Sequence, residues 1–353
     1  MELFYFPYFC IHSELVSESQ QMISDQDIFT ISSQKQFEKI ALKVFRFQYE
    51  NNLVYQEFCD FLNTDVQKVK SLEQIPFLPI QFFKSHDVVS STDAIQDVFA
   101  SSGTSGMITS KHLVTDTSLY EQSYRTAFSQ FYGNIEDYVV LALLPSYLER
   151  SGSSLIYMVK DLIERSNNEH SGFYLHNYDE LIAKLVDLDN SGQNVILIGV
   201  TYALLNLVEK QKFQLKNTLI METGGMKGKR KELIREELHE ILCDGFGVSS
   251  IHSEYGMTEL LSQAYSLGNG IFECPSWIQI LIRDTEDALK YVENGKTGGI
   301  NVIDLANINS CSFIATQDLG KKYPHQPANR QAGSFEVLGR FDNSDIRGCN
   351  LMV

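Results

Sequence analysis

Residues 195–200 read Val-Ile-Leu-Ile-Gly-Val, and the alternation that surrounds them decides the fold. Six apolar residues in a row make a buried strand. A helical run follows, with Leu204, Leu205 and Val208 on its apolar face. Residues 218–222 predict the next strand, which ends at Gly224-Gly225, and the helix after it is expected to bury Leu233, Ile234, Leu238, Ile241 and Leu242. A further strand over 248–252 runs straight into Tyr255-Gly256-Met257-Thr258-Glu259. Upstream, residues 139–144 form a short buried strand ended by Pro145, with a helix over 155–165. Strand and helix in turn predict a largely parallel α/β sheet. Ligands of such sheets sit beyond the carboxyl ends of the strands, where Gly224-Gly225 and Tyr255–Glu259 fall.

The flanks read differently. Ser33 and Gln36 have the spacing of a capping box, followed by Phe37, Ile40, Ala41, Val44 and Phe45 on one helical face. A second helical pattern covers 54–62, and Pro76-Phe77-Leu78-Pro79 forces an extended passage. After residue 275 short strands are expected at 278–282, 299–303, 313–316 and 335–338. The expectation is a single domain in three regions: a helical 1–94, an α/β core over 95–274, and a small β-rich 275–353.

Composition narrows the function. Of 353 residues, 43% are hydrophobic and 21% charged, the balance of an ordinary globular protein with a sizeable core. A net charge of −16 argues against nucleic acid or an acidic membrane as partner. Lys227, Lys229, Arg230 and Lys231 are the local exception and read as a solvated face at a helix start. Residues 1–10 lack the basic start and long apolar run of a secretory leader, and no later segment has the length of a membrane span. Six cysteines show no Cys-x-x-Cys and no zinc-type spacing with histidine. A cytoplasmic protein with reduced thiols and no structural metal is expected.

The chemistry starts at Ser101-Ser102-Gly103-Thr104-Ser105-Gly106. Two glycines permit backbone turns while four hydroxyls and the backbone N–H groups supply donors for a phosphate chain. A Walker loop would end in Gly-Lys-Ser/Thr, whereas Gly106 is followed by Met-Ile-Thr-Ser before Lys111. Three further segments follow in order: Tyr255–Glu259, Thr316-Gln317-Asp318-Leu319-Gly320, and Gly339-Arg340-Phe341-Asp342. This ordered set resembles the adenylate-forming superfamily of acyl-CoA ligases and adenylation domains. Leu78-Pro79 leading to Phe83-Lys84, His112 shortly after the loop, and Arg347-Gly348-Cys349 narrow the resemblance to the acyl-protein synthetase (LuxE-type) family over roughly residues 75–353.

The resemblance implies the large-domain core of that superfamily, with mostly parallel sheets flanked by helices and no separate C-terminal domain. It implies ATP and Mg²⁺. Ser101, Ser102, Thr104 and Ser105, with Gly103 and Gly106, would hold the β- and γ-phosphates. Gly224 and Gly225 would let adenine lie close, and Tyr255, followed by Gly256, would stack on the base. Thr258 would bond the α-phosphate and Glu259 would hold Mg²⁺, a hard ion that prefers oxygen. Asp318 would take the ribose hydroxyls and Arg340 the ribose or phosphate. The family's phosphate-loop lysine has no direct counterpart, and Lys111 and His112 both stand near its place. The family's acyl acceptor maps to Cys349, whose thiol Arg347 would activate; Cys10, Cys59, Cys243, Cys274 and Cys311 read as packing residues.

The leading function is an ATP-dependent ligase that adenylates a carboxylic, fatty-type acid and forms a thioester on its own Cys349 for an acyl reductase partner. The alternatives are a truncated acyl- or aryl-CoA ligase using coenzyme A or a carrier protein, and a weakly catalytic acyl- or nucleotide-binding module that docks a reductase.

Overall fold

The computed structural model describes residues 23–101, 109–145, 152–224, 230, 233–324 and 333–341. The amino-terminal part is helical: α1 (Asp25–Phe29), α2 (Gln34–Asn51) and α3 (Leu53–Phe61) precede a two-residue strand β1 (Leu78–Pro79) and the short α4 (Phe82–Ser85). Phe37, Ile40, Ala41, Val44 and Phe45 of α2 are all buried, as their spacing predicts. The cap differs in one respect. Ser33 Oγ accepts from Gln36 N, but the Gln36 carboxamide oxygen is taken by Ser32, which offers it both N–H and hydroxyl, so no reciprocal box closes on Ser33.

A hairpin, β2 (Asp97–Ala100) and β3 (Lys111–Val114), then frames the hydroxyl-rich loop. It stands apart from the main sheets as its own antiparallel pair. Helix α5 (Thr117–Tyr132) leads into the alternating part: β4 (Val139–Leu143), α6 (Ser154–Arg165), β5 (Gly172–Tyr174), α7 (Tyr178–Asn190), β6 (Val195–Val200), α8 (Thr201–Lys210), β7 (Thr218–Thr223), α9 (Arg235–Phe246), β8 (His252–Tyr255) and β9 (Ala264–Ser266). These strands form one six-stranded sheet in the order β5-β4-β6-β7-β8-β9, parallel throughout except for β9. The remaining strands are β10 (Ile271–Phe272), β11 (Ile278–Arg283), β12 (Gly298–Asp304), β13 (Phe313–Lys322) and β14 (Phe335–Arg340). They make a second sheet, β10-β14-β13-β12-β11, to which β1 adds in parallel beside β13. The mixed α/β class expected from the alternation holds.

Two expectations in the alternating part are corrected. Helix α9 buries Leu238, Leu242 and Phe246, four residues apart, whereas Ile241 lies off that stripe and is partly exposed. Leu233 and Ile234 precede the helix, and Ile234 is largely exposed. The strand placed at 248–252 begins only at His252 and includes Tyr255. Gly247 adopts φ +70° to end α9, and Gly247 N and Val248 N both bond back to Cys243 O, so this backbone closes the helix instead of pairing in the sheet.

Apolar packing joins these layers. Helices α5 and α6 cover the face of the parallel sheet that carries Val140, Ile196, Ile198 and Met221, and an internal cavity lies between them. Glycine is required at 199, where a Cβ would come within 2.7 Å of Leu204 Cδ2 as α8 folds back on β6. Trp277 is fully buried, meets Phe29 edge-on at 5.0 Å, and donates from Nε1 to Ser123 Oγ and Ser262 Oγ. One indole thus locks α1, α5 and the second sheet to the segment after Glu259. Among the described residues no helix is long and apolar enough to cross a membrane.

Candidate active site

The carboxyl end of β8 faces the edge of the second sheet, and the candidate residues meet there. Tyr255 closes the strand, and its hydroxyl donates to Asp318 Oδ2 at 2.9 Å. Arg340 Nε donates to Asp318 Oδ1 at 3.0 Å, following directly from the register that pairs Asp318 with Arg340 across β13 and β14. Asp318 is buried within a strand that runs on to Lys322, past the end expected at residue 316. The Tyr255 ring is held edge-on by Phe272 and Phe335. Beside Asp318 the Arg340 guanidinium is held more firmly charged than usual.

Thr258 and Glu259 form the turn just beyond β8. Glu259 is buried, and burial pushes its carboxyl above the usual range, against a hydrogen bond from Ser110 and the positive charges of Arg340 and Lys84. Ser110 stands at the foot of the hydroxyl-rich loop. Its N–H donates to Ser101 Oγ at 2.9 Å, while Ser101 N donates to Ser110 O at 3.1 Å. The loop is therefore stapled at its base next to Glu259. Ser102, Gly103, Thr104, Ser105 and Gly106 lie outside the described residues, as do Gly225 and Cys349. Gly224 has φ +63°, follows the register pair Thr223–Glu254, and accepts at its carbonyl from Thr201 Oγ1 at 2.7 Å.

Lys111 and His112 separate clearly. Lys111 is exposed, whereas His112 is fully buried. The His112 ring bridges Thr258 O at 2.9 Å and Asn307 Oδ1 at 3.0 Å, and Asn307 Nδ2 donates to Glu259 O at 2.8 Å. Burial pulls the imidazole down to about 4, although both partners are oxygen acceptors that favour its protonated form. The ring lies between the Thr258–Glu259 turn and Asn307 and so ties that turn to β3, whereas Lys111 on the same strand is exposed.

The family described as Acyl-protein synthetase, LuxE, matches residues 10–128 and 165–353. The chain belongs to this family. It is an enzyme of the ligase type, as acyl-protein synthetases are. Two curated relatives are long-chain-fatty-acid–luciferin-component ligases. That of Vibrio harveyi is 24% identical over 92% of this chain and 89% of its own length. That of Aliivibrio fischeri is 23% identical over 90% and 87%. Among solved structures, a 2-hydroxyisobutyryl-CoA ligase in the postadenylation state superposes with a TM-score of 0.66 at 13% identity, covering 92% of this chain and 73% of that one. ATP-bound MatB from Rhodopseudomonas palustris matches with a TM-score of 0.51 at 17% identity, over 71% and 49%. At such identities these likenesses establish the adenylate-forming fold.

Several site-building residues carry no motif. Glu222 is buried on β7 and paired with Arg235, with His239 Nε2 at 3.7 Å. Burial opposes the Glu222 charge, yet the Arg235 guanidinium and hydrogen bonds from His239 and Ser253 hold its carboxyl below the usual range. The pair pins the start of α9 to the strand that ends at Gly224. The spacing of Arg235 and His239, one helical turn apart, is the signal that would have found it. Asp304 accepts from Leu261 N at 2.8 Å and Ser262 Oγ at 2.6 Å, fixing the chain beyond Glu259 to β12. Neither Asp304 nor Asn307 has any local signature. Of the basic cluster only Arg230 is among the described residues; it is half-buried and pairs with Glu209 at 2.6 Å, while Lys227, Lys229 and Lys231 lie outside them. Cys59, Cys274 and Cys311 are buried, consistent with packing, while Cys243 is half-buried.

Proposed function

We propose that this chain is an ATP-dependent acyl-protein synthetase that adenylates a carboxylic acid and carries the acyl group on Cys349. The observation that carries the reading is the Tyr255–Asp318–Arg340 cluster standing beside a buried Glu259 and the stapled foot of the hydroxyl-rich loop. Asp318 and Tyr255 offer a ribose acceptor and a ring for the base, with Gly224-Gly225 and Gly256 leaving room beside it. Residues 101–106 and Thr258 would take the phosphates, and Arg340 would share their charge. The acid's carboxylate oxygen attacks the α-phosphorus, the bond to the pyrophosphate oxygen breaks, and pyrophosphate leaves. The Cys349 thiolate then attacks the acyl carbon, forming a thioester and releasing AMP. Positioning and charge neutralisation supply most of what the first step needs.

Glu259 fits Mg²⁺ in a specific sense. It is a buried carboxylate whose charge is disfavoured by burial, so a divalent cation there would offset that cost, and one protein carboxylate plus phosphate oxygens is a common way to hold this ion. When bound, Mg²⁺ supplies charge neutralisation at the phosphates. A fatty-type acid is supported by the names of the Vibrio harveyi and Aliivibrio fischeri relatives. The further elements of the proposal are an acyl reductase that accepts the thioester, a cytoplasmic setting, and a single adenylating domain over 1–353 in which 95–274 is the α/β nucleotide-binding core and Asp318 and Arg340 reach in from 275–353.

The test separates the half-reactions. Cys349→Ser is expected to keep acid-dependent ATP–pyrophosphate exchange and to lose labelling of the protein by radioactive acid, since a serine hydroxyl is scarcely ionised at neutral pH. The wild-type label should be released by neutral hydroxylamine. Retained labelling in the variant would move the acceptor elsewhere, and free acyl-CoA formation would favour the coenzyme A reading instead.

A further inference from the structure

The register of the second sheet slips at Asp318. Gly299 pairs with Leu319 and Asn301 with Ala315, so Ile300 alone on β12 stands opposite Thr316, Gln317 and Asp318 on β13. The extra residues lift Asp318 out of the ladder with β12, and the backbone groups this frees must be satisfied in other ways. Asp318 N donates to Thr316 Oγ1 at 3.1 Å, and Thr316 Oγ1 donates to Ile300 O at 2.9 Å. Phe341 N donates to Gln317 O at 2.9 Å. The Thr316 carbonyl, and a second bond to that of Ile300, fall to one side chain, Arg283 at the end of β11.

Arg283 is buried and crosses β12 over Gly299, its register partner, where a Cβ would come within 2.5 Å of the guanidinium carbon. Its Nη1 donates to Ile300 O at 2.8 Å and to Asn301 Oδ1 at 2.7 Å, and its Nη2 donates to Thr316 O at 2.5 Å. The fork thus ties the lone residue on one side of the bulge to the first residue on the other. The Phe341 ring lies 5.4 Å from the guanidinium, at cation–π distance. Phe341 follows Arg340, so the same group also steadies the segment that carries the second partner of Asp318. Burial opposes the Arg283 charge, and Tyr291 and Asp318 favour it. A planar fork holds its acceptors in fixed geometry, which a lysine ammonium does not. We propose that Arg283 is a positioning residue for the nucleotide: it holds the bulge in the shape that presents the Asp318 carboxylate, with Arg340 beside it, to a ribose diol. It acts through Asp318 and not on the reacting atoms. The inference rests on the adenylation reading above.

The test uses the full chain with ATP, Mg²⁺ and, in parallel, dodecanoic, tetradecanoic and hexadecanoic acids in ATP–pyrophosphate exchange. Arg283→Lys keeps the charge and loses the fork. Gly299→Ala keeps every bonding group and pushes the guanidinium aside, because the new Cβ meets that side-chain tip first; it carries the test alone if Arg283→Lys does not fold. Each should raise the KM for ATP about tenfold, the worth of one buried hydrogen bond, and leave kcat within about twofold. Calorimetric ATP binding should weaken by the same factor. Combined with Asp318→Ala, either change should add less than about twofold, since the carboxylate it would displace is already gone. A merely structural role would lower the Tm without this split, and its effect would multiply with that of Asp318→Ala. Unchanged KM, an equal loss in kcat, or multiplying effects in the double variants would overturn the proposal. If Asp318→Ala raises the KM while Arg283→Lys and Gly299→Ala do not, only the Arg283 role falls. If wild type neither binds ATP nor exchanges with any of the acids, the adenylation reading falls and this one with it.

Discussion

The ionisation of Glu254 has a consequence for stability that needs no substrate. Its carboxyl sits against Thr223, Gly256 and Tyr265 with the Glu222 charge nearby, and burial raises it from 4.5 to about 7. Between those values the folded protein keeps the proton while the unfolded chain loses it. The folded state then binds more protons, so stability falls as pH rises through this window and is level above it. Across the whole window, 4.5 to about 7, the loss is about 3 kcal/mol. Scans should start at pH 5.5, because the sequence pI is about 4.9 and proteins associate near zero net charge. From pH 5.5 to 8.5 the loss that remains is about 2 kcal/mol.

Glu254→Gln removes the titration while keeping an oxygen for the Thr223 hydroxyl. For 353 residues the unfolding entropy is about 0.74 kcal/mol/K near 60 °C, so the Tm of the variant relative to wild type should rise by about 3 °C between pH 5.5 and 8.5. Asp304, which burial lifts to about 6, and Glu259, also raised by burial, contribute falling slopes of their own. Those slopes are shared by both proteins and cancel in the difference. Differential scanning calorimetry at matched ionic strength reads it. A Tm difference that stays constant across the range would refute the buried, proton-holding state of Glu254.

Glu259→Gln should lower acid-dependent ATP–pyrophosphate exchange at least about 10²-fold with the circular dichroism spectrum unchanged, as loss of a key charge at the reacting phosphate would; near-wild-type exchange would remove Glu259 from the chemistry. Asp318→Ala should mainly raise the KM for ATP, because ribose bonds are made in ground and transition states alike. An unchanged ATP dependence there would place the nucleotide elsewhere.

How far the sequence carries depends on the range of the interaction. The strands at 139–144, 195–200 and 218–222 are readable because each is a continuous apolar run. Tyr255–Glu259 and the segment around Asp318 are readable because their residues are consecutive. His112 meets Thr258 and Asn307 across 146 and 195 positions, and no spacing rule spans such a gap. Glu254 and Tyr265 face each other only because β8 and β9 pair in one register, and a one-residue slip would put them on opposite faces. The misplaced strand start at residue 248 has a local cause. Val248 looks like a strand residue, but its N–H is already committed to Cys243 O.

The cluster around Asp318 also bears on how the site meets a polyanion. Asp318 already accepts a hydrogen bond from the Tyr255 hydroxyl at one oxygen and from Arg340 Nε at the other. A carboxylate has about four lone-pair sites, so two remain for a diol without displacing either partner. Asp318 is buried and held from both sides, whereas the Arg340 side chain is exposed and also lies within reach of the Glu259 charge. One guanidinium therefore bonds one carboxylate, Asp318, and lies within electrostatic reach of a second, Glu259. Its charge offsets theirs before any phosphate arrives, and the tether through His112 and Asn307 keeps the Thr258–Glu259 turn from drifting. Groups fixed in this way need little reorganisation when charge develops between them, which is the condition under which electrostatic stabilisation counts most.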